Sequence, residues 1–153
     1  MPQFSSKRRV RHSAAQMFDL VADVENYPQF VPLCSALQVR RRSAKGEGVE
    51  VLVADMTVAY KIVRETFTSR VTLDRPKLAI LVEYLDGPFK RLDNRWSFRP
   101  RDETACEVEF FIDYEFKSRM LALLMGAMFD TAFRKFAVAF EKRADEIYGR
   151  QTA

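Results

Sequence analysis

The stretch SRMLALLMGAMFDTAFRKFAVAFEKRADEIY, Ser118 to Tyr148, runs for thirty-one residues with no proline and a single glycine, Gly126. Wound as an α-helix it is about 45 Å long, more than the width of a compact domain of this size. Leu121, Met125, Met128, Phe129, Ala132, Phe133, Phe136, Phe140, Ala144 and Ile147 recur at helical spacing. They cover a face roughly 140° wide, where a surface helix needs about 100°. Asp130, Arg134, Glu141 and Asp145 occupy the other face, and Gly149 stands where a helix C-cap is expected.

The two halves of this helix differ. From Phe133 onward it is amphipathic. From Met120 to Phe129, MLALLMGAMF, no side chain is polar. A helix that is apolar all round is covered on every side or faces something greasy. Ten residues are too few to cross a bilayer, which takes about 20. Two readings stand: a loop or partner subunit covers this segment, or it borders a cavity mouth or a membrane surface.

The rest of the chain supplies the helix with a sheet. Phe4 to His12 reads as a half-exposed strand. Ser13 with Gln16 forms a capping-box signature and opens a short helix with Met17, Phe18, Val21 and Ala22 inward. Asn26-Tyr27-Pro28 breaks it, and Gln29 to Pro32 reads as one more helical turn. Strands follow at Ala36–Arg42, Val49–Tyr60, Lys61–Asp74, Leu78–Leu85 and Arg91–Arg99. They are separated by Lys45–Gly48, Arg75–Lys77, Asp86–Pro88 and a charged turn at Pro100–Thr104. Cys106, Val108, Phe110, Ile112, Tyr114 and Phe116 alternate with Glu107, Glu109, Asp113, Glu115 and Lys117, the clearest strand in the chain. Short turns imply an antiparallel meander, whose apolar face and the helix face must cover each other. The expected fold is therefore α+β, a curved antiparallel seven-stranded sheet around a long C-terminal helix, with two small helices after strand 1. A single domain is expected over 1–149, with 150–153 as a tail. A sheet curled round a helix leaves room for an apolar cavity.

Composition narrows the function. The 153 residues are 48% apolar and 30% charged, with thirteen phenylalanines and one tryptophan. Cys34 and Cys106 lie 72 residues apart, without metal or redox spacing, and read as free thiols in a reducing compartment. The first residues lack the apolar run of a signal peptide, so a cytoplasmic protein is expected, peripheral at most to the inner membrane. The lone His12 sits in a basic strand. The chain has no metal-ligand cluster, no GxSxG, no phosphate-binding glycine loop and no dinucleotide fingerprint. No catalytic residue and no metal is expected. The net charge of +4 is concentrated early: residues 1–45 hold eight Lys/Arg against three acids. Arg8, Arg9, Arg11, Arg40, Arg41 and Arg42 suit phosphate on RNA or anionic lipid, or equally a solvated strand edge that discourages pairing.

Three stretches carry a family resemblance. Asp23 to Cys34 (DVENYPQFVPLC), Asp86 to Pro100 (DGPFKRLDNRWSFRP), and Ala139 to Ala144 with Ile147-Tyr148-Gly149 resemble the START-like, or helix-grip, superfamily. Within it the chain is similar to the group of coenzyme Q-binding proteins and the bacterial ribosome-association toxin, over about residues 1–149. Leu33 departs from the group, where the position after Pro32 is often aromatic. The resemblance implies non-catalytic binding of ubiquinone or a related isoprenoid lipid in support of respiration, with ubiquinone as bound ligand and no cofactor required. The other branch implies binding to the large ribosomal subunit. A cyclase or aromatase acting in the same cavity is a third reading, for which only Asp55, Arg64 and Tyr114 offer acid–base groups.

On the quinone reading, Asn94, Trp96, Phe98, Phe110, Tyr114, Phe129, Phe133 and Phe136 line the tunnel, with Trp96 and Tyr114 donating to a carbonyl. Asp55 is expected to point into the sheet interior. Asn94 shares a face with Leu92, Trp96 and Phe98 and needs a partner, since an unsatisfied buried polar group costs about 1–3 kcal/mol. Phe30, Val31, Leu33, Leu124 and Met125 frame the mouth and touch the membrane, and the arginines hold anionic lipid. Phe133→Glu is expected to abolish uptake in a folded protein. On the ribosome reading the same arginines contact rRNA phosphates, and binding weakens steeply with salt.

Overall fold

The computed structural model describes residues 3–149, so the 150–153 tail lies outside the described residues. The strands are β1 (Gln3–Val10), β2 (Cys34–Ala44), β3 (Val49–Tyr60), β4 (Val63–Asp74), β5 (Ala79–Asp86), β6 (Phe89–Asp102) and β7 (Ala105–Phe116). They form one seven-stranded antiparallel sheet in the order β1-β7-β6-β5-β4-β3-β2. Strands β2 to β7 are a meander, and β1 joins it beside β7, from Gln3 opposite Asp113 to Val10 opposite Cys106. That leaves β1 and β2 as the two edges. Helix α1 (Ala14–Ala22) and a 3-10 helix (Val24–Gln29) carry the chain from one edge to the other. Helix α2 (Arg119–Tyr148) lies in the curve of the sheet.

Local chemistry fixes these elements. In β7 Cys106, Val108, Phe110, Ile112, Tyr114 and Phe116 are all buried, while Glu107, Glu109, Asp113 and Glu115 lie on the other face together with Phe111. Ser13 caps α1 reciprocally, its Oγ accepting from the Gln16 N–H at 3.1 Å and its own N–H donating to Gln16 Oε1 at 3.0 Å. At the β5–β6 turn only glycine fits position 87. Its φ is +144°, and a Cβ there would stand 2.5 Å from the Cβ of Phe67.

Three expectations are corrected. The second small helix spans Val24–Gln29 with Pro28 inside it, and Phe30 to Leu33 is a turn. A 3-10 helix this short loses a single i→i+3 bond to a proline, so Pro28 did not stop it. Pro100 belongs to β6, opposite Cys106, and the turn is only Glu103-Thr104. A register shift beside Pro100 accommodates the missing N–H. In β3 the inward face is Leu52, Ala54 and Val58, all buried. Asp55 therefore sits on the outer face, where Arg40 Nε and Thr68 Oγ1 each donate to it at 2.6 Å. The strand is apolar on both faces, and alternation alone did not say which one the helix covers.

The two halves of α2 are held differently. Near its end, Asp145 Oδ1 lies 2.7 Å from His12 Nε2, and Tyr148 Oη donates to the Gln16 carbonyl at 3.1 Å. Arg8 pairs with Glu141 at 2.7 Å, and Arg143 donates to Gln29 at 2.7 Å. Among the described residues, no hydrogen bond or ion pair links side chains 119–132 to the sheet. Beyond its short connection to β7, the side chains of that half meet the sheet through an apolar face, with Met125, Phe129 and Ala132 buried.

Candidate functional site

Between the curved sheet and α2 lies a cavity of about 110 Å³. Period-two alternation aims Phe67, Ser69 and Val71 of β4, Val82 of β5, and Asn94 and Trp96 of β6 into it. Helix α2 contributes Phe129, Ala132, Phe133, Phe136 and Phe140, at spacings of three and four. Pro32 and Leu33, in the turn before β2, lie on the side of the 3-10 helix.

Four side chains with a polar group, Tyr27, Ser69, Asn94 and Trp96, interrupt this apolar wall. Tyr27 is spoken for: its hydroxyl donates to the Val21 carbonyl. Asn94 and Trp96 satisfy one another. The Trp96 indole N–H donates to Asn94 Oδ1 at 3.2 Å, and Asn94 Nδ2 donates to the Phe111 carbonyl at 2.9 Å. Ser69 differs. It is 5% exposed, and its hydroxyl has no hydrogen-bond partner among the described residues. A buried polar group in that state costs about 1–3 kcal/mol and is rare in native interiors. The sequence carried its signal unread: Phe67, Ser69, Val71 and Leu73 alternate along β4, which puts Ser69 on the apolar face.

The residues expected at the tunnel divide. Asn94, Trp96, Phe129, Phe133 and Phe136 line the cavity. Phe98, Phe110 and Tyr114 do not. Phe98 packs edge-on against Phe18 of α1, with ring centres 6.0 Å apart. Phe110 is enclosed by Phe4, Trp96, Phe133 and Phe136. Tyr114 packs among Phe89, Phe116, Phe129 and Phe133. These three pack behind the wall: Phe98 lies towards α1, and Phe110 and Tyr114 of β7 are covered by the phenylalanines of α2, while Ile112 between them reaches the cavity. The Trp96 N–H, already donated to Asn94, is not free for a ligand carbonyl. Phe133 also touches Phe110, Tyr114, Phe129 and Phe136, so an unpaired carboxylate there is expected to unfold the chain. Phe133→Glu is thus no clean test of binding.

The expected mouth is broken up in the same way. Leu33 lines the cavity and Leu124 is 53% exposed, but Val31 and Met125 are buried in the core. Phe30 folds onto Phe140 and Tyr27, with the Arg143 guanidinium over its ring. The basic residues are split between the two sheet edges, Arg8 and Arg9 on β1, Arg11 just beyond it, and Arg40 to Arg42 on β2. Arg8, Arg40 and Arg42 are engaged by Glu141, Asp55, and Glu25 with Glu50.

Acid–base and nucleophilic chemistry finds little to work with here. Asp55 is on the outer face, Arg64 is exposed at the start of β4, and Tyr114 is inside, so the three are not brought together. Burial, reinforced by Asp130, pushes the Tyr114 hydroxyl up to about 12. Burial likewise pushes the free thiols of Cys34 and Cys106 up to about 11, away from the thiolate form. Among the described residues no cluster of three or more His, Cys, Asp or Glu is placed to hold a metal ion. No helix among them is long and apolar enough to cross a membrane.

Known proteins share this arrangement. The sequence profile of the family described as polyketide cyclase/dehydrase and lipid transport matches residues 10–141. The ribosome association toxin RatA of Vibrio cholerae serotype O1 is 39% identical over 97% of this chain and 99% of its own length. The mitochondrial coenzyme Q-binding protein COQ10 homolog B of Xenopus laevis is 34% identical over 97% of this chain and 60% of its own. The solution structure of the 18 kDa protein CC1736 from Caulobacter crescentus superposes with a TM-score of 0.79 at 36% identity, covering 97% of this chain and 99% of that one. With a gripped helix, an apolar cavity beneath it and these matches along nearly its whole length, the chain belongs to the polyketide cyclase/dehydrase and lipid transport family.

Proposed function

We propose that the chain is a non-catalytic carrier that holds ubiquinone or a related isoprenoid lipid between sheet and α2, in support of respiratory electron transport. The observation that carries this reading is the unpartnered hydroxyl of Ser69, set in an otherwise apolar cavity wall. Hydrocarbon lining suits a prenyl tail, and a single free donor suits the carbonyl oxygen of a quinone ring. The relative named a coenzyme Q-binding protein points the same way.

The cavity as it stands, about 110 Å³, is smaller than the roughly 150 Å³ cavity that takes a benzene molecule. A quinone ring with its tail enters only if the wall moves. The half of α2 that lacks polar ties to the sheet is the part free to do so.

Trp96 is the sole tryptophan and lines the cavity, so all indole emission comes from a side chain on that wall. A quinone accepts electrons and quenches indole emission on contact. Titration with a short-tailed ubiquinone is expected to quench Trp96 saturably at one ligand per chain. Organic extraction of protein purified from quinone-making cells is expected to release a quinone or lipid. An unquenched Trp96 together with an empty extract would overturn the reading.

A second reading is binding to the large ribosomal subunit. The 39% identity to a ribosome association toxin over 97% of this chain favours it, as do the exposed Arg9, Arg11 and Arg41. Salt-sensitive co-sedimentation with large subunits, lost on replacing those three arginines by alanine, is its expected signature.

A further inference from the structure

Seven large apolar side chains stand exposed among the described residues, and five lie towards one end of the molecule. Ile62, at the tip of the β3–β4 hairpin, is 99% exposed. Met120, Leu123 and Leu124, in the first turns of α2, are 69, 84 and 53% exposed, and Leu85 before the β5–β6 turn is 47% exposed.

Their position follows from the topology. A layer of rings, Phe67 on Phe89 at 5.3 Å and Phe89 on Phe129 at 6.0 Å, closes the core near this end. Ile62 is five strand residues beyond Phe67, about 17 Å. Met120 is nine helix residues beyond Phe129, about 13 Å. The hairpin tip and the helix start are therefore two prongs reaching past the packed core, each with aliphatic side chains at its tip.

Charge surrounds them. Lys61, Arg64, Lys90, Lys117 and Arg119 are exposed at this end. Among the described residues Arg64, Lys117 and Arg119 make no ion pair. The acids here are Glu65, Asp86 and Glu115, and none occurs between Glu115 and Asp130. The exposed tips are Ile, Leu and Met, whereas the cores of protein interfaces are enriched in aromatic residues. Aliphatic tips ringed by lysine and arginine match an interfacial membrane anchor, whose apolar part enters the acyl boundary while its cations meet lipid phosphates.

We propose that this end of the molecule docks on an anionic lipid bilayer, with Ile62, Met120, Leu123 and Leu124 inserted and the five basic residues on the headgroups. The inference stands apart from the identity of any cavity ligand.

The test is co-sedimentation of the full chain with phosphatidylcholine vesicles, with and without phosphatidylglycerol. Binding is expected only with phosphatidylglycerol and is expected to weaken with salt. Ile62→Asp and Leu123→Asp, at exposed positions where folding is unaffected, are each expected to weaken partition at least about tenfold. Lys117→Ala and Arg119→Ala are expected to weaken it about fivefold each. Val138→Asp, equally apolar and 48% exposed but farther along α2, is expected to change nothing. Failure of the wild type to sediment with anionic vesicles would overturn the proposal, as would unchanged binding of both Asp variants. Concentration-dependent dimerisation without lipid, abolished by Ile62→Asp and Leu123→Asp, would assign the patch to a second copy of the chain instead.

Discussion

Ser69 places an unbonded hydroxyl on a surface otherwise built to exclude water. Removing it relieves a desolvation penalty and leaves little new space, so Ser69→Ala is expected to stabilise the ligand-free protein by about 1 kcal/mol. Urea denaturation measures this, and a loss of stability would mean that the hydroxyl is bonded in solution. The cysteines make a second residue-scale prediction. Burial raises both thiols from an ordinary 9.0 to about 11 in the folded chain. The unfolded chain therefore loses these protons first. The stability they confer is complete below pH 9, declines as pH rises and is gone above about 11. Urea midpoints on either side of pH 9 are expected to fall with pH, and Cys34→Ala with Cys106→Ala is expected to flatten the fall. What remains should begin nearer pH 10, where Tyr114 would ionise if unfolded.

At the scale of elements, two glycines give opposite expectations. A Cβ at Gly126, inside α2, meets nothing within 4 Å. Gly126→Ala is expected to add about 0.5–1 kcal/mol by raising helix propensity. At Gly87 both the φ of +144° and the approach to Phe67 forbid a side chain, so Gly87→Ala is expected to cost more than about 2 kcal/mol. Thermal melts of the two variants should move in opposite directions. The same contrast marks what the chain made legible. Strand β7 was readable because one of its faces is wholly apolar and the other mostly acidic, and α2 because no proline interrupts thirty residues whose second half is amphipathic. Asp55 was misplaced because β3 offers apolar residues to both sides, and the choice between them is made by a helix some seventy residues away in sequence. The cavity residues were legible as core but not as lining. Whether Phe110 or Phe136 borders a void depends on how β7 sits beneath α2, which neither pattern nor propensity records. Ser69 shows the converse, a site residue with a readable alternation but no chemistry conspicuous enough to single it out.

For the whole molecule the decisive feature is the uneven attachment of α2. One end is fastened to β1, α1 and the 3-10 helix by Glu141, Arg143, Asp145 and Tyr148. The other is tethered to the end of β7, where the Lys117 N–H donates to the Pro88 carbonyl at 2.9 Å, but its side chains meet the sheet only through an apolar face, and it overlies the cavity through Phe129 and Ala132. Apolar contacts tolerate sliding and separation, whereas hydrogen bonds and ion pairs have fixed lengths, so the two ends have different freedom to move. Opening is therefore expected to pivot about the clasped end, widening the cavity without dismantling the sheet. Amide hydrogen exchange tests this directly. Amides of 122–131 are expected to exchange faster than those of 136–147 in the free protein. A bound quinone that wedges under the helix is expected to slow the first group and leave the second unchanged. Uniform protection along α2 would mean that the helix moves as one rigid piece. A ligand would then have to enter through the Phe30–Leu33 turn, and exchange at Val31 and Leu33 would be what the ligand suppresses.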